Sequence, residues 1–222
     1  MKKYLILIFW LGYIGSTLAQ QVIDRPQLFK RPSPYERYTT YRASLTAGLG
    51  APTGTFQNYM GKNTFRNYAA SVDFVFPNNN FSVGATFGSQ YFQNRLSRQV
   101  YEFSDGAVSA VQTRAFSAYS LVATGSYHFA KVNAPVRPYV QVGLGAAFAE
   151  LTNYYGTIPT GENGFKLVAQ AGAGVRALLS KKGNFGVELG ANYQHLPFKV
   201  ESEGITDAAS LNVRFGVFYR WW

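Results

Sequence analysis

The side chains in this sequence best suited to general-base chemistry near neutrality are its two histidines, His128 and His195. His128 is followed by Phe129-Ala130, which brings no hydroxyl beside it. His195 shares a polar stretch with Ser202 and Asp207, the residue types of an acyl-transfer site, at a spacing that fixes no geometry. The histidines do not stand at metal-ligand spacing and cysteine is absent, so the expectation is no metal site, no thiolate chemistry and no disulfide framework. Gly143 and Gly145, like Gly172 and Gly174, lack the strand-to-helix context of a phosphate-binding loop, and no cofactor is expected. These glycines read instead as relief of curvature in a tightly bent sheet.

More informative are charges embedded in otherwise apolar alternation: Arg42, Asp73, Arg114, Lys166, Arg176, Glu188, Arg214 and Arg220. Each falls on the face opposite the aromatic and aliphatic side chains of its own segment. Charges collected on an inner face must pair with one another. The short link at 180–184 brings Arg176 beside Glu188, with Arg214 approaching Glu188 from the last strand, and Arg42 and Asp73 fall as diagonal neighbours. Such a network serves as an ion path or as a salt-bridged plug; the expectation is the plug.

The elements that must hold these charges are read from period-two alternation. In the final stretch Leu211, Val213, Phe215, Val217, Tyr219 and Trp221 lie on one face and Ser210, Asn212, Arg214, Gly216 and Arg220 on the other. The same pattern occurs at 41–51, 67–76, 81–92, 113–129, 139–149, 165–179 and 185–194, which makes eight strands. An exposed aromatic face of this kind aggregates in water. Against lipid, with a polar lumen behind it, the alternation satisfies both environments. Short links at 77–80, 130–138 and 180–184 alternate with longer polar ones at 52–66, 93–112, 150–164 and 195–209, as in barrels with short turns at one rim and long loops at the other. The fold expected over 40–222 is therefore all-β: an eight-stranded antiparallel transmembrane up-and-down barrel.

Met1-Lys2-Lys3, an apolar run to Gly15 and Ser16-Thr17-Leu18-Ala19 read as a signal peptide over 1–19, too short to span a bilayer comfortably. Residues 20–39, with Pro26, Pro32 and Pro34 among charges, read as an extended periplasmic segment. The formal net charge is +10, or +8 without Lys2 and Lys3. Its cations are scattered singly and several lie inside strands, so nucleic acid is not the expected partner. Anionic headgroups of outer-membrane phospholipid and lipopolysaccharide are.

The last strand resembles the C-terminal assembly signal of Gram-negative outer-membrane β-barrels, with Arg214, Gly216, Tyr219 and Trp221 at its positions and Trp222 one residue beyond the usual end. Over about residues 40–222 the chain is similar to small OmpA/OmpX-type barrels, with a Tyr- and Asn-rich composition like that of many Bacteroidota barrel proteins. The resemblance implies export to the outer membrane, recognition by the barrel-assembly machinery and a non-enzymatic role in structure or loop-mediated binding. Its alternatives are an outer-membrane lipid-modifying enzyme or an accessory subunit of a secretion or assembly machine. Deleting Tyr219 to Trp222 is expected to block membrane assembly; immunoblots of fractionated cells check this, and wild-type amounts of truncated protein in the membrane would contradict it.

Overall fold

The computed structural model describes residues 33–77, 79–103, 106–179, 183–200 and 204–222, with the backbone alone for 102, 103, 108 and 158. The expected signal peptide and residues 20–32 lie outside the described residues. The strands are β1 (Thr40–Thr53), β2 (Thr64–Val75), β3 (Phe81–Phe103), β4 (Gly106–His128), β5 (Val136–Tyr155), β6 (Ile158–Leu178), β7 (Phe185–Leu196) and β8 (Ala208–Trp221). Each pairs antiparallel with its sequence neighbour, and β8 returns to β1 to close the barrel. Closure pairs both sides of each strand within the barrel body; among the described residues, β3 beyond Gln90 and β6 before Ala169 are paired on one side only.

Alternation sorts the side chains between the two faces. Leu144, Leu167 and Phe165 point outward at 71%, 77% and 79% exposure, whereas Arg42, Asp73, Gln170, Asn192 and Asn212 are buried within. Close approach of β1 and β8 depends on missing side chains: a Cβ at Gly48 would run into the Val213 carbonyl, and one at Gly216 into the Leu45 carbonyl. Glycine at these points lets the seam close at full pairing distance.

Three departures from the sequence expectation matter for function. The described residues of 93–112 and 150–164 are almost all strand rather than loop. β3 and β4 stay paired to Phe103↔Gly106, with a register shift between Arg95 and Arg98, and β5 and β6 to Tyr155↔Ile158. A strand of 23 residues reaches roughly 75 Å at about 3.3 Å per residue, well past a hydrocarbon core of about 30 Å. Beyond the apolar belt the ladder needs only backbone pairing, so polar side chains on both faces are tolerated. Tyr101 and Tyr155 meet edge to face at 4.8 Å and both reach Gln112, tying the two hairpins together.

Within the stretches expected as polar external loops, 52–66 and 195–209, residues 55–60, 196–200 and 205 fold over the hairpin end of the lumen. Helix α2 (Thr55–Met60) buries Phe56, Tyr59 and Met60, and Gly61 in the left-handed region (φ +63) ends it. Leu196, Phe198, Val200 and Ile205 join the same cluster, which rests on Phe92, Phe116, Val122, Leu151 and Val168 of the barrel wall. The inner wall carries these apolar side chains at this end, and apolar surface needs a cover.

At the opposite end Pro34–Arg37, expected to be extended, forms helix α1. The Ser33 N–H donates to Glu36 Oε2 at 2.9 Å, Pro34 sits in the first turn, and Tyr35 is buried. Capping chemistry therefore outweighs proline content at this point.

The inside–outside assignment makes a quantitative prediction. Leu144→Arg should lower the folding free energy in phospholipid bilayers by about 2 to 4 kcal/mol, whereas inward Thr86→Ser removes one methyl and should cost less than about 1 kcal/mol. Bilayer urea titrations measure both, and equal losses would contradict the assignment.

Candidate functional site

The interior holds the densest chemistry among the described residues, and strand register decides who meets whom. β1–β2 pairing sets Arg42 directly opposite Asp73 rather than diagonal to it. Arg42 Nη2 and Nε donate to Asp73 Oδ2 at 2.7 and 3.2 Å, and Ser71 Oγ adds a weaker bond at 3.4 Å. β6–β7 pairing sets Arg176 opposite Glu188, with Nε–Oε2 at 2.8 Å. The Arg176 guanidinium lies 3.8 Å from the Tyr139 ring centroid. Two glycines make room for that phenol: a Cβ at Gly174 would stand 2.7 Å from the Tyr139 hydroxyl and one at Gly190 2.8 Å from it.

Arg214 does not join Glu188 as expected. β7–β8 register places Glu188 across from Gly216 and Arg214 across from Gly190, one inward position further along. Arg214 Nε donates instead to Asn67 Oδ1 at 2.9 Å. Asn67 in turn bonds Asn212 at 2.5 Å, which bonds Ser210 at 3.2 Å. Gln90 reaches across the lumen from β3 to Gln194 of β7 at 2.9 Å and accepts from Ser210 at 3.2 Å. Asn192 donates to Gln170 at 3.3 Å. Asp73, Arg176, Glu188 and Arg214 line a cavity of about 40 Å³, room for roughly three waters.

Other charges expected on the inner face take structural positions. Arg114 Nη1 donates to the Tyr59 carbonyl at 2.9 Å and its guanidinium covers the Tyr59 ring, anchoring α2. Lys166 is exposed. Arg220 bonds the Gly183 and Val132 carbonyls, the latter at 2.6 Å, and lies 4.1 Å from the centroid of the Tyr35 ring. Tyr35 donates to Asn184 at 2.7 Å, and Trp222 meets its ring edge-on at 5.1 Å. Trp222, one residue beyond the usual end of the assembly signal, thus packs against α1. Of the signal residues, Arg214 and Gly216 face inward while Tyr219 and Trp221 face outward and stack at 6.0 Å.

His128 is fully buried, its Nε2 3.1 Å from Ser82 Oγ. His195 Nδ1 lies 3.7 Å from Asp207 Oδ2, while Oδ1 of the same carboxylate accepts from Thr55 at 2.9 Å and Thr206 at 3.0 Å. Asp207 thereby links β8's approach to α2. Ser202 lies outside the described residues. No group of three potential metal ligands occurs among the described residues.

No protein-family model matches the chain, and no curated protein matches it in sequence. Solved structures do resemble it in fold. The crystal structure of Neisserial surface protein A superposes with a TM-score of 0.52 at 15% identity, over 82% of this chain and 97% of that one. A major outer membrane protein from Thermus thermophilus superposes with a TM-score of 0.50 at 12% identity, over 83% of this chain and 100% of that one. The barrel is thus of the small outer-membrane type in fold, and neither match supports the likeness to Bacteroidota proteins.

Removing Glu188 alone strands a buried guanidinium. Glu188→Gln should destabilise the barrel by roughly 3 to 5 kcal/mol where the site is dry, and less where water reaches it. Adding Arg176→Met should recover part of that loss. Urea unfolding of the single and double variants measures the coupling, and additive effects would contradict the pairing.

Proposed function

We propose that this chain is an integral outer-membrane barrel that acts through its projecting hairpins and whose lumen does not conduct. The observation that carries this reading is the belt of outward apolar side chains, Leu45, Phe87, Leu121, Leu144, Leu167 and Phe215 among them, around a polar and charged interior. Water would penalise that belt and hydrocarbon accepts it. The two structures of like fold come from proteins described as a surface protein and an outer membrane protein, which is in keeping with this setting.

With the termini and short turns facing the periplasm, the β3–β4 and β5–β6 hairpins extend from the cell surface. They carry exposed Val100 and Tyr154 and exposed Arg95 and Arg98. Tyrosine and arginine are the residue types most often energetically dominant at protein interfaces. Exposed Arg66 and Lys62, near the same end, suit contact with lipopolysaccharide phosphates and anionic headgroups. Outward Tyr219 and Trp221 suit recognition by the barrel-assembly machinery.

Closure of the lumen is supported by three successive obstructions: the Tyr35–Arg220–Trp222 contacts, the paired charges with their cross-lumen amides, and the apolar cluster beneath α2. An eight-stranded barrel is just wide enough for its side chains to fill. Purified protein should migrate differently on SDS gels before and after boiling, and should give no steady current in planar bilayers. Identical migration would contradict the membrane barrel, and a large stable conductance would contradict the closed lumen.

A further inference from the structure

Positive charge gathers at one corner of the outer rim. Arg66 of β2 reaches over the neighbouring strand, its guanidinium 5.1 Å from the centroid of the Tyr91 ring on β3. A Cβ at Gly61 would stand 3.6 Å from the Asn94 amide, so the residues that follow each, Lys62 and Arg95, belong to the same corner. Lys62, Arg66 and Arg95 are all exposed, and none forms an ion pair among the described residues. The strands here have little to offer them. β1 and β8 contain no Asp or Glu, β2 contains only Asp73, which is buried inside and bound to Arg42, and β3 only Glu102 near its far end.

Next to this corner, toward the middle of the belt, the outer face is hollow. Ala47, Ala70 and Gly216 lie between the larger Tyr68, Phe87 and Phe215 and leave a groove of about 430 Å³. A second groove of about 580 Å³ shares Leu45, Ala70 and Phe87 with the first and continues past Ala43 and Ala85, so the two form one trench. Cations and tyrosines at interface depth, above an apolar trench, match an amphipath with an anionic head and an acyl chain. A phospholipid phosphodiester brings a single negative charge. A phosphomonoester brings about 1.5 to 2 at neutral pH, a closer match to three clustered cations. We infer, on the outer-membrane reading proposed above, that the sector from β8 through β1 and β2 to β3 binds the phosphorylated, acylated lipid A portion of lipopolysaccharide. A phosphate lies among Lys62, Arg66 and Arg95, and an acyl chain fills the trench.

Full-length barrel folded in micelles, titrated with lipid A and read by native mass spectrometry, should retain a single lipid A and prefer it to phosphatidylglycerol. Arg66→Gln should weaken retention about fivefold, the worth of one cation at an anionic surface. Ala70→Phe fills the trench with a side chain that hydrocarbon accepts, and should weaken retention of lipid A and of its dephosphorylated form alike. Lys166→Gln removes an exposed cation from β6 and should change nothing. Equal retention of phosphatidylglycerol, or equal losses in Lys166→Gln and Arg66→Gln, would overturn the site in favour of general attraction to anionic lipid. No loss in Arg66→Gln or in Ala70→Phe would overturn it as well. A dimer in lipid-free micelles that Ala70→Phe dissociates would assign the trench to a second copy of the chain instead. Each of these results is read on a folded, heat-modifiable barrel and leaves the membrane-barrel reading intact, whereas failure to form such a barrel in any lipid would contradict that reading itself.

Discussion

The contact on which the rest of the structure depends is the seam between β1 and β8. It is an unbroken ladder from Tyr41↔Trp221 to Thr53↔Ala209, and it joins the first strand to the last across most of the sequence. Without it both strands would present open edges beside an apolar belt, a combination that aggregates in water and that hydrocarbon forbids. With it every strand of the barrel body is flanked on both sides, and the interior becomes a separate compartment. Gly48 and Gly216 allow the two backbones to approach. The cost of that closeness is a seam that tolerates no side chain at either position.

Once the compartment is closed, its contents divide into layers with different physical roles. The apolar layer beneath α2 supplies ordinary hydrophobic burial, and aromatic contacts such as Phe56–Phe116 at 4.9 Å fix its geometry. The charged layer contributes little net stability, because desolvation offsets most of its Coulomb attraction. Its value lies in register. A one-residue slip of β1 on β2, or of β6 on β7, would turn a guanidinium toward the outer face and leave a carboxylate unpaired within. Arg42–Asp73 and Arg176–Glu188 therefore penalise the wrong pairings more than they reward the right one. The amides between Arg214 and the apolar layer tie non-adjacent strands together, Gln90 of β3 to Gln194 of β7 and Asn67 of β2 to Asn212 of β8.

The strands, their order and the identity of the inner face were legible in the sequence because apolar alternation runs through all eight. Arg176 and Glu188 could be matched because a short turn leaves few possible registers. Arg214 could not: its partner depends on the β7–β8 register, which a long connection leaves open. The extended hairpins escaped notice because the alternation loses its apolar phase beyond the belt, although the backbone pairing continues. Helix α2 did leave a signal. Phe56, Tyr59 and Met60 stand at i, i+3 and i+4, the spacing of a helical face, inside a stretch otherwise read as loop. Likewise Ser33-Pro34 followed by Glu36 is a helix-start pattern that the surrounding prolines concealed.

The account stands or falls on which face of the barrel meets lipid. Spin labels placed singly along β5 from Val140 to Ala147 and reconstituted in bilayers, scored for collision with oxygen against a water-soluble nickel reagent, test this directly. The account predicts a period of two, with oxygen contact highest at Val140, Val142, Leu144 and Ala146 and low at Gln141, Gly143, Gly145 and Ala147. The opposite phase, or nickel contact along the whole outer face, would contradict it.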